Sequence, residues 1–349
     1  PLMKRLGFAP HYAGAVEAVA STGGQLMPPI MGAGAFILAD MTGTPYLRVA
    51  GAAAIPAIIY YVSLFFMVDL EAKKLGLRGM SRDEMPELRG ILLERGLLLL
   101  PIVLILGYMI AGFTLMWSAT SAALGVIVLS WVRKSTRMGP AGILEALEKA
   151  GRMTVPVAIP CAVAGIVVGV VDDTGIGLKF SGLIVNLSKG MILPSLGMSL
   201  VGCIIMGMGM PTAAAYIMAA TLLGPALAKL GIPVLAAHMF IYYFAILSML
   251  TPPVALSAYV ASGVAESNLT ETGWKAFQLS LAGFLVPFAF VYNPSMLFIG
   301  TLGETAWVSV TCIVGVAALA ASITGHLSAV LSIGERVALL VCSLALIVP

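Results

Sequence analysis

Hydrophobic positions in this chain run together instead of alternating. Uninterrupted apolar stretches recur at 47–68, 96–113, 115–132, 155–171, 277–299 and 305–325, with a further run at 335–349. Most approach the roughly 20 helical residues that a bilayer core requires, which predicts membrane-spanning helices. Two more apolar segments, 12–40 and 234–265, are each interrupted by a proline doublet: Pro28-Pro29 and Pro252-Pro253, 224 positions apart. Proline removes a helical donor and clashes with the preceding turn, so each doublet breaks its helix. Broken backbone is tolerated at membrane depth only where protein buries it or it lines a cavity. Two such breaks at corresponding places in two halves of a chain point to the binding site of a secondary transporter.

Composition agrees with a polytopic, all-α membrane protein: 60% of the 349 residues are hydrophobic and only 10% charged. The net charge of +3 is unevenly spread. Eleven of the 19 basic residues fall in two stretches, Lys73, Lys74, Arg78, Arg82, Arg89 and Arg95, then Arg133, Lys134, Arg137, Lys149 and Arg152. Two spans separate the stretches, so both face one side, and the positive-inside rule makes that side the cytoplasm. Acids intersperse both stretches (Asp83, Glu84, Glu87, Glu145, Glu148), which argues against a nucleic-acid surface.

Parity then takes 155–171 outward and leaves Asp172 and Asp173 near the outer face. Residues 175–190 are polar enough to lie along the interface. The next two apolar runs, 191–230, are either two full spans or a re-entrant hairpin with its tip at Gly207–Thr212. Charge does not distinguish them, because parity is the same. The glycines and proline at the tip favour the hairpin, while close helix packing by small residues, as expected at Gly165 and Gly169, is the alternative.

Five stretches together resemble one family. They are AVEAVASTGGQ (15–25) with MPP (27–29), GMGMPTAAAY (207–216), AAHMF (236–240), LTPPVA (250–255) and FVYNP (290–294). The chain resembles the large membrane subunit of TRAP (tripartite ATP-independent periplasmic) transporters over about residues 1–300. It is most similar to the branch with a TAXI-type periplasmic binding protein, in which the small membrane subunit is often fused. The resemblance implies an inverted-repeat, ion-transporter-type fold, each half holding a re-entrant hairpin and a broken helix. It also implies an elevator motion driven by sodium, in the bacterial inner membrane. PLMKRLGF (1–8) looks like the end of the first hairpin, so that hairpin is expected upstream of this sequence.

Sodium is a hard cation, and unwound helices expose the carbonyl oxygens that suit it. One ion is expected among Ser21, Thr22, Gly24 and Pro28, and a second between Gly207, Gly209, Thr212 and Thr251. Half-helix N-termini beyond the breaks carry free N–H groups and partial positive charge, suited to an organic carboxylate. Gly23, Gln25, Met210, Pro211 and Pro252 are the candidate substrate contacts. For Ser21, Thr22 and Thr251 the alternative is bonding back to their own helix. Gly207 and Gly209 should let the tip turn sharply and bring backbone close to ion and substrate. Glu17 has either a structural partner (Arg5, His11 or a neighbouring helix) or a part in ion coupling.

The four cysteines (Cys161, Cys203, Cys312, Cys342) lack metal-ligand spacing and read as buried small hydrophobes. No phosphate loop, nucleophile elbow or HExxH motif appears. The chain therefore reads as a transporter subunit with no enzyme activity and no cofactor beyond coupling sodium ions. It divides into 1–68, ending the first repeat; 69–154, basic loops with a connecting helical pair; 155–299, the second repeat with hairpin 191–230 and broken helix 234–265; and 300–349, accessory helices. The competing readings are a carboxylate permease that needs no binding protein and a membrane-embedded lipid-modifying enzyme.

The orientation is directly testable. Cysteines placed at Arg82 and Lys149 should resist membrane-impermeant thiol reagents in intact cells, while one at Gly43 should react. Labelling in the opposite sense would invert the topology.

Overall fold

The computed structural model describes residues 2–77, 79, 96–132 and 136–348. Of the two basic stretches, Arg78, Arg82, Arg89, Arg95, Arg133 and Lys134 lie outside the described residues, as do Asp83, Glu84 and Glu87. The described chain is helical, and an isolated bridge between His326 and Val330 is its one β-type pairing. It is an all-α polytopic membrane protein, with apolar helices such as Tyr46–Lys74 and Leu302–Thr324 long enough to cross a bilayer. Two compact units are present, Pro1–Arg78 with Ile159–Pro349, and Gly79–Ala158.

In the larger unit, α1 (Leu2–Arg5) leads into α2 (Pro10–Gly23), the break, α3 (Ala33–Thr42) and α4 (Tyr46–Lys74). Proline marks the starts: Pro10 opens α2 and Pro45 precedes α4, positions where the missing N–H has no partner to lose. Tyr12 Oη donates to the carbonyl of Met67, and Tyr60 Oη to that of Val19, at 3.2 and 2.9 Å. These bonds set α2 and α4 antiparallel, so the start of α2 lies at the same end as Lys73 and Lys74.

The smaller unit holds a helical pair, α5 (Leu100–Ile110) and α6 (Leu115–Ser130), with Thr114 accepting from the N–H of Trp117 at the start of α6. Helix α7 (Pro140–Thr174) is longer than the span 155–171 read from hydropathy. Its first turns are polar, and they stay helical through Lys149–Glu145 and Arg152–Glu148 pairs four residues apart.

After α7 come α8 (Ile176–Leu187), α9 (Ile192–Gly207), α10 (Thr212–Lys229) and α11 (Val234–Leu247). A 3-10 turn, Ser248–Leu250, carries α11 into the second break, and α12 (Leu256–Ala265), α13 (Leu269–Leu279) and α14 (Leu281–Tyr292) follow. Helix α10 runs alongside α11, tied by Tyr216 Oη and His238 Nδ1 at 2.8 Å, and stops at the break. The α9–α10 pair is thus a hairpin whose tip ends part-way along the broken helix. Helix α15 (Leu302–Thr324) packs on α4 and on α16 (Ile333–Ile347), and Lys74 Nζ donates to the carbonyl of Thr324.

The two halves repeat at the interval set by the proline doublets. Gly7 and Gly231 both take positive φ, at 102° and 78°, in turns that lead into α2 and α11. Met31 and Ala255, three residues after each first proline, both take positive φ, and both donate N–H to the residue four earlier. Each doublet contains a cis peptide bond. The broken helices pack on one another, α2 against α12 and α3 against α11, and Gly14 early in α2 lies beside Ala261 and Ala265 late in α12, the antiparallel sense an inverted pair requires.

From Met239 to Leu247 helix α11 is buried on all sides, with Phe240, Ile241, Tyr242, Tyr243 and Phe244 fully enclosed. Lipid is as apolar as the helices, so their association rests on packing and hydrogen bonds. Tyr60 shows how tight that packing is. A Cβ on Gly283 would lie 2.8 Å from the Tyr60 ring, and one on Gly23 would also collide with it. By contrast, a Cβ on Gly165 or Gly169 would meet nothing within 4 Å, so the packing role expected for them is absent among the described residues. Among the cysteines, Cys203 and Cys312 are buried, Cys161 is half-buried and Cys342 is exposed, so the expectation of uniform burial fails at α16.

Gly283→Val should therefore lower the thermal midpoint of the detergent-solubilised protein by several degrees, reflecting an overpacking cost of about 1–3 kcal/mol. Gly165→Val should leave the midpoint unchanged. Equal midpoints for the two variants would refute this account of the core.

Candidate functional site

The first break begins as α2 unwinds. Successive i+3 bonds, Gly24 N to Ser21 O, Gln25 N to Thr22 O and Leu26 N to Gly23 O, occupy the last three helical carbonyls. Beyond them the carbonyls of Gly24, Leu26 and Pro28 receive no donor among the described residues. Pro29 and Ile30 are served by Tyr46, whose hydroxyl lies 2.9 and 2.7 Å from their carbonyl oxygens. The carbonyl of Gln25 accepts twice, from Gly32 N–H at 2.9 Å and Tyr242 O–H at 2.8 Å.

The second break repeats this arrangement. The carbonyls of Met249, Leu250, Pro252 and Val254 receive no donor among the described residues, while that of Pro253 accepts from Tyr259 at 2.5 Å. Each second proline is thus capped by a tyrosine, and each first proline keeps a free oxygen. Leu26 and Leu250, equivalent in the repeat, also match in having free carbonyls.

The hydroxyls differ from one another. Thr251 Oγ1 donates to the carbonyl of Leu247 at 2.8 Å, the back-bonded arrangement, with its lone pairs still available. Ser21 Oγ donates to Glu17 at 3.2 Å, so Glu17 pairs with its own helix instead of Arg5 or His11. Thr22 is buried and makes no hydrogen bond through its hydroxyl among the described residues.

At the hairpin tip, Gly207 and Gly209 play separate parts. A Cβ on Gly207 would collide with Oγ and Cβ of Ser248, so the close approach of tip to break is made here. Gly209 has nothing within 4 Å of its Cβ position; it supplies the left-handed turn, with φ of 78°. Thr212, the first residue of α10, donates to Met249 Sδ at 3.2 Å. Gln25 Nε2 reaches the same sulfur at 4.0 Å, and this sulfur joins the two expected sites.

Ser21, Thr22 and Gln25 line a cavity of about 1030 Å³ between α2 and α12, together with Met249, Ser257 and Glu17. Gly23 is turned into the core against Tyr60, away from that space. Gly24, Pro28, Gly207, Gly209, Met210, Pro211, Thr212, Thr251 and Pro252 are not part of its lining. The hairpin arm α10 lies on the opposite side of the breaks, against α3 and α11. Met249, Ser248 and the capping tyrosines Tyr46, Tyr242 and Tyr259 were missed by sequence reasoning. Aligning the two doublets would have flagged Met249, because it falls opposite Gln25.

Paired broken helices meeting a hairpin tip are the arrangement of a secondary-transporter binding site, which places the chain among membrane transport proteins. The model of the family described as tripartite ATP-independent periplasmic transporter, DctM component, matches residues 1–305, and the chain belongs to that family. It is a transporter permease component and not an enzyme. No curated protein matches the chain by sequence.

The contact at the tip gives a test that includes its own rescue. Gly207→Ala should push the hairpin off Ser248 and cut uptake per folded molecule by roughly tenfold or more, the effect of at least ~1.4 kcal/mol. Gly207→Ala with Ser248→Gly should recover most of it. Full activity in the single variant would show that the tip need not touch the break.

Proposed function

We propose that this chain is the permease subunit of a sodium-coupled symporter that imports an organic acid across the bacterial inner membrane. Family membership implies a periplasmic binding protein and a small membrane subunit as partners. On this reading the binding protein is of the TAXI type and the mobile part moves as an elevator. The observation that carries the reading is the matched set of free carbonyl oxygens, Leu26 and Pro28 in one break, Leu250 and Pro252 in the other. Oxygens without donors inside a membrane protein are costly unless water or a cation meets them. Thr22 and Thr251 add hydroxyl lone pairs beside them, and Ser21, Gly24, Gly207, Gly209 and Thr212 complete the two candidate ion sites.

The repeat also supports a second hairpin. Helix α10 covers the α3/α11 side of the breaks, and the equivalent α2/α12 side is the open cavity of about 1030 Å³. A second hairpin on that side would complete the first ion site. The substrate carboxylate would lie near Gln25, Met210, Pro211 and Pro252, close to the N-termini of α3 and α12, while Gly23 serves the packing against Tyr60.

The test is uptake by the complete system in proteoliposomes, with and without an inward sodium gradient and with and without the binding protein. Uptake should require both. Thr22→Val and Thr251→Val should each raise the sodium concentration for half-maximal uptake by about tenfold, the loss of ~1.4 kcal/mol from one oxygen ligand. Uptake that ignores sodium would overturn the coupling, and uptake without the binding protein would favour a self-sufficient permease.

A further inference from the structure

We propose that the Met249 thioether holds the place of a substrate carboxylate, and that Gln25 and Thr212 are the donors that exchange it for the anion. The inference rests on the organic-acid reading above and assigns the two groups that grip the acid.

Met249 occupies in the second repeat the place that Gln25 occupies in the first, and the two side chains meet at the pseudo-twofold axis. Gln25 Nε2 lies 4.0 Å from the sulfur on one side, and Thr212 Oγ1 donates to it at 3.2 Å on the other. One atom therefore ties together the first break, the second break and the hairpin tip. A thioether is a weak acceptor. Thr212 is only 7% exposed and Gln25 is half-buried at the edge of the cavity, yet their shared partner is among the poorest available. A carboxylate oxygen at the same point would form charge-assisted bonds about twice as strong as neutral ones.

The surroundings favour the exchange. The Gln25 backbone is fixed by the two bonds to its carbonyl, from Gly32 and Tyr242, so its amide is aimed by a rigid support. Thr212 is the first residue of α10, where the helix dipole favours negative charge. Met249 is unbranched and flexible, and it lines the large cavity, so its side chain has space to rotate into. Thr212 donates a hydrogen bond to the sulfur and keeps its lone pairs. In the loaded state the same hydroxyl can donate to the anion while accepting a cation, which joins substrate and ion at one side chain.

Binding to the purified permease complex, with its small subunit and without the binding protein, isolates this step. The readout is the concentration of acid that gives half-maximal thermal stabilisation in sodium. Succinate, 2-oxoglutarate and glutamate are the probes, and the acid accumulated by the wild-type system is titrated. Met249→Leu keeps the volume and removes the acceptor, so the empty state loses its placeholder and the half-saturating concentration should fall by roughly three- to tenfold. Met249→Gln supplies a stronger internal competitor and should raise it. Gln25→Leu should raise it as well. An unchanged or raised value in Met249→Leu, with the wild type responding normally, overturns the placeholder and leaves the transport reading intact. If the wild-type system takes up none of these acids in a sodium gradient, the organic-acid reading falls, and the inference with it.

Discussion

The constraint on which this structure turns is that backbone polar groups inside a bilayer must find partners within the protein. An unbroken helix meets it automatically. The proline doublets forfeit it twice, at Pro28-Pro29 and Pro252-Pro253, and the surrounding side chains restore it only in part. Tyr46 and Tyr259 cap the second proline of each doublet, and Tyr242 adds a donor to the Gln25 carbonyl. Tyrosine suits this role because its ring packs among apolar neighbours while its hydroxyl reaches a carbonyl. Of the carbonyls left without a donor among the described residues, two pairs match across the repeat, Leu26 with Leu250 and Pro28 with Pro252, while those of Gly24, Met249 and Val254 have no free counterpart in the other break.

The repeat is closest in backbone and weakest in side chains. The turns at Gly7 and Gly231 and the left-handed residues Met31 and Ala255 recur in register, because each half must enter and leave its break along the same path. The contacts across the axis do not recur. Gln25 faces Met249, Thr251 corresponds to Met27, and Ser248, the residue pressed against Gly207, corresponds to Gly24. An inverted repeat provides two equivalent places for unwound backbone, and these departures make the two places chemically distinct.

Much of this was legible in the sequence, for identifiable reasons. Proline doublets in apolar runs announce their breaks because the missing N–H acts locally, and the Gly-Met-Gly-Met-Pro tip announces a turn for the same reason. The extent of α7 was not legible from hydropathy, because its charged first turns are held by Glu145–Lys149 and Glu148–Arg152 pairs instead of by apolar burial. Tertiary partners were hidden altogether. Gly165 and Gly283 look alike in sequence, yet only Gly283 abuts the Tyr60 ring. Likewise Gly207 and Gly209 read as one motif, while the structure gives the close contact to one and the left-handed turn to the other.

The division of labour at the tip fixes how both arms of the hairpin meet the second break. Gly207 allows the end of α9 to touch Ser248, and Thr212 begins α10 in contact with Met249, so both arms of the hairpin rest on the same 3-10 turn. That turn is the last helical segment before the free carbonyls of the second break. A ligand that engages those carbonyls acts on the residues that support both arms, without any relay through the rest of the protein. The one side-chain hydrogen bond between the tip and that turn, from Thr212, ends on sulfur, and the rest of the contact is packing. Tyr60, by contrast, is enclosed between Gly23 and Gly283 with its hydroxyl on Val19, which fixes α2 to its neighbours at the first break. The first break is thus held by ring packing on Tyr60, whereas both arms of the hairpin tip are held at the single turn Ser248–Leu250.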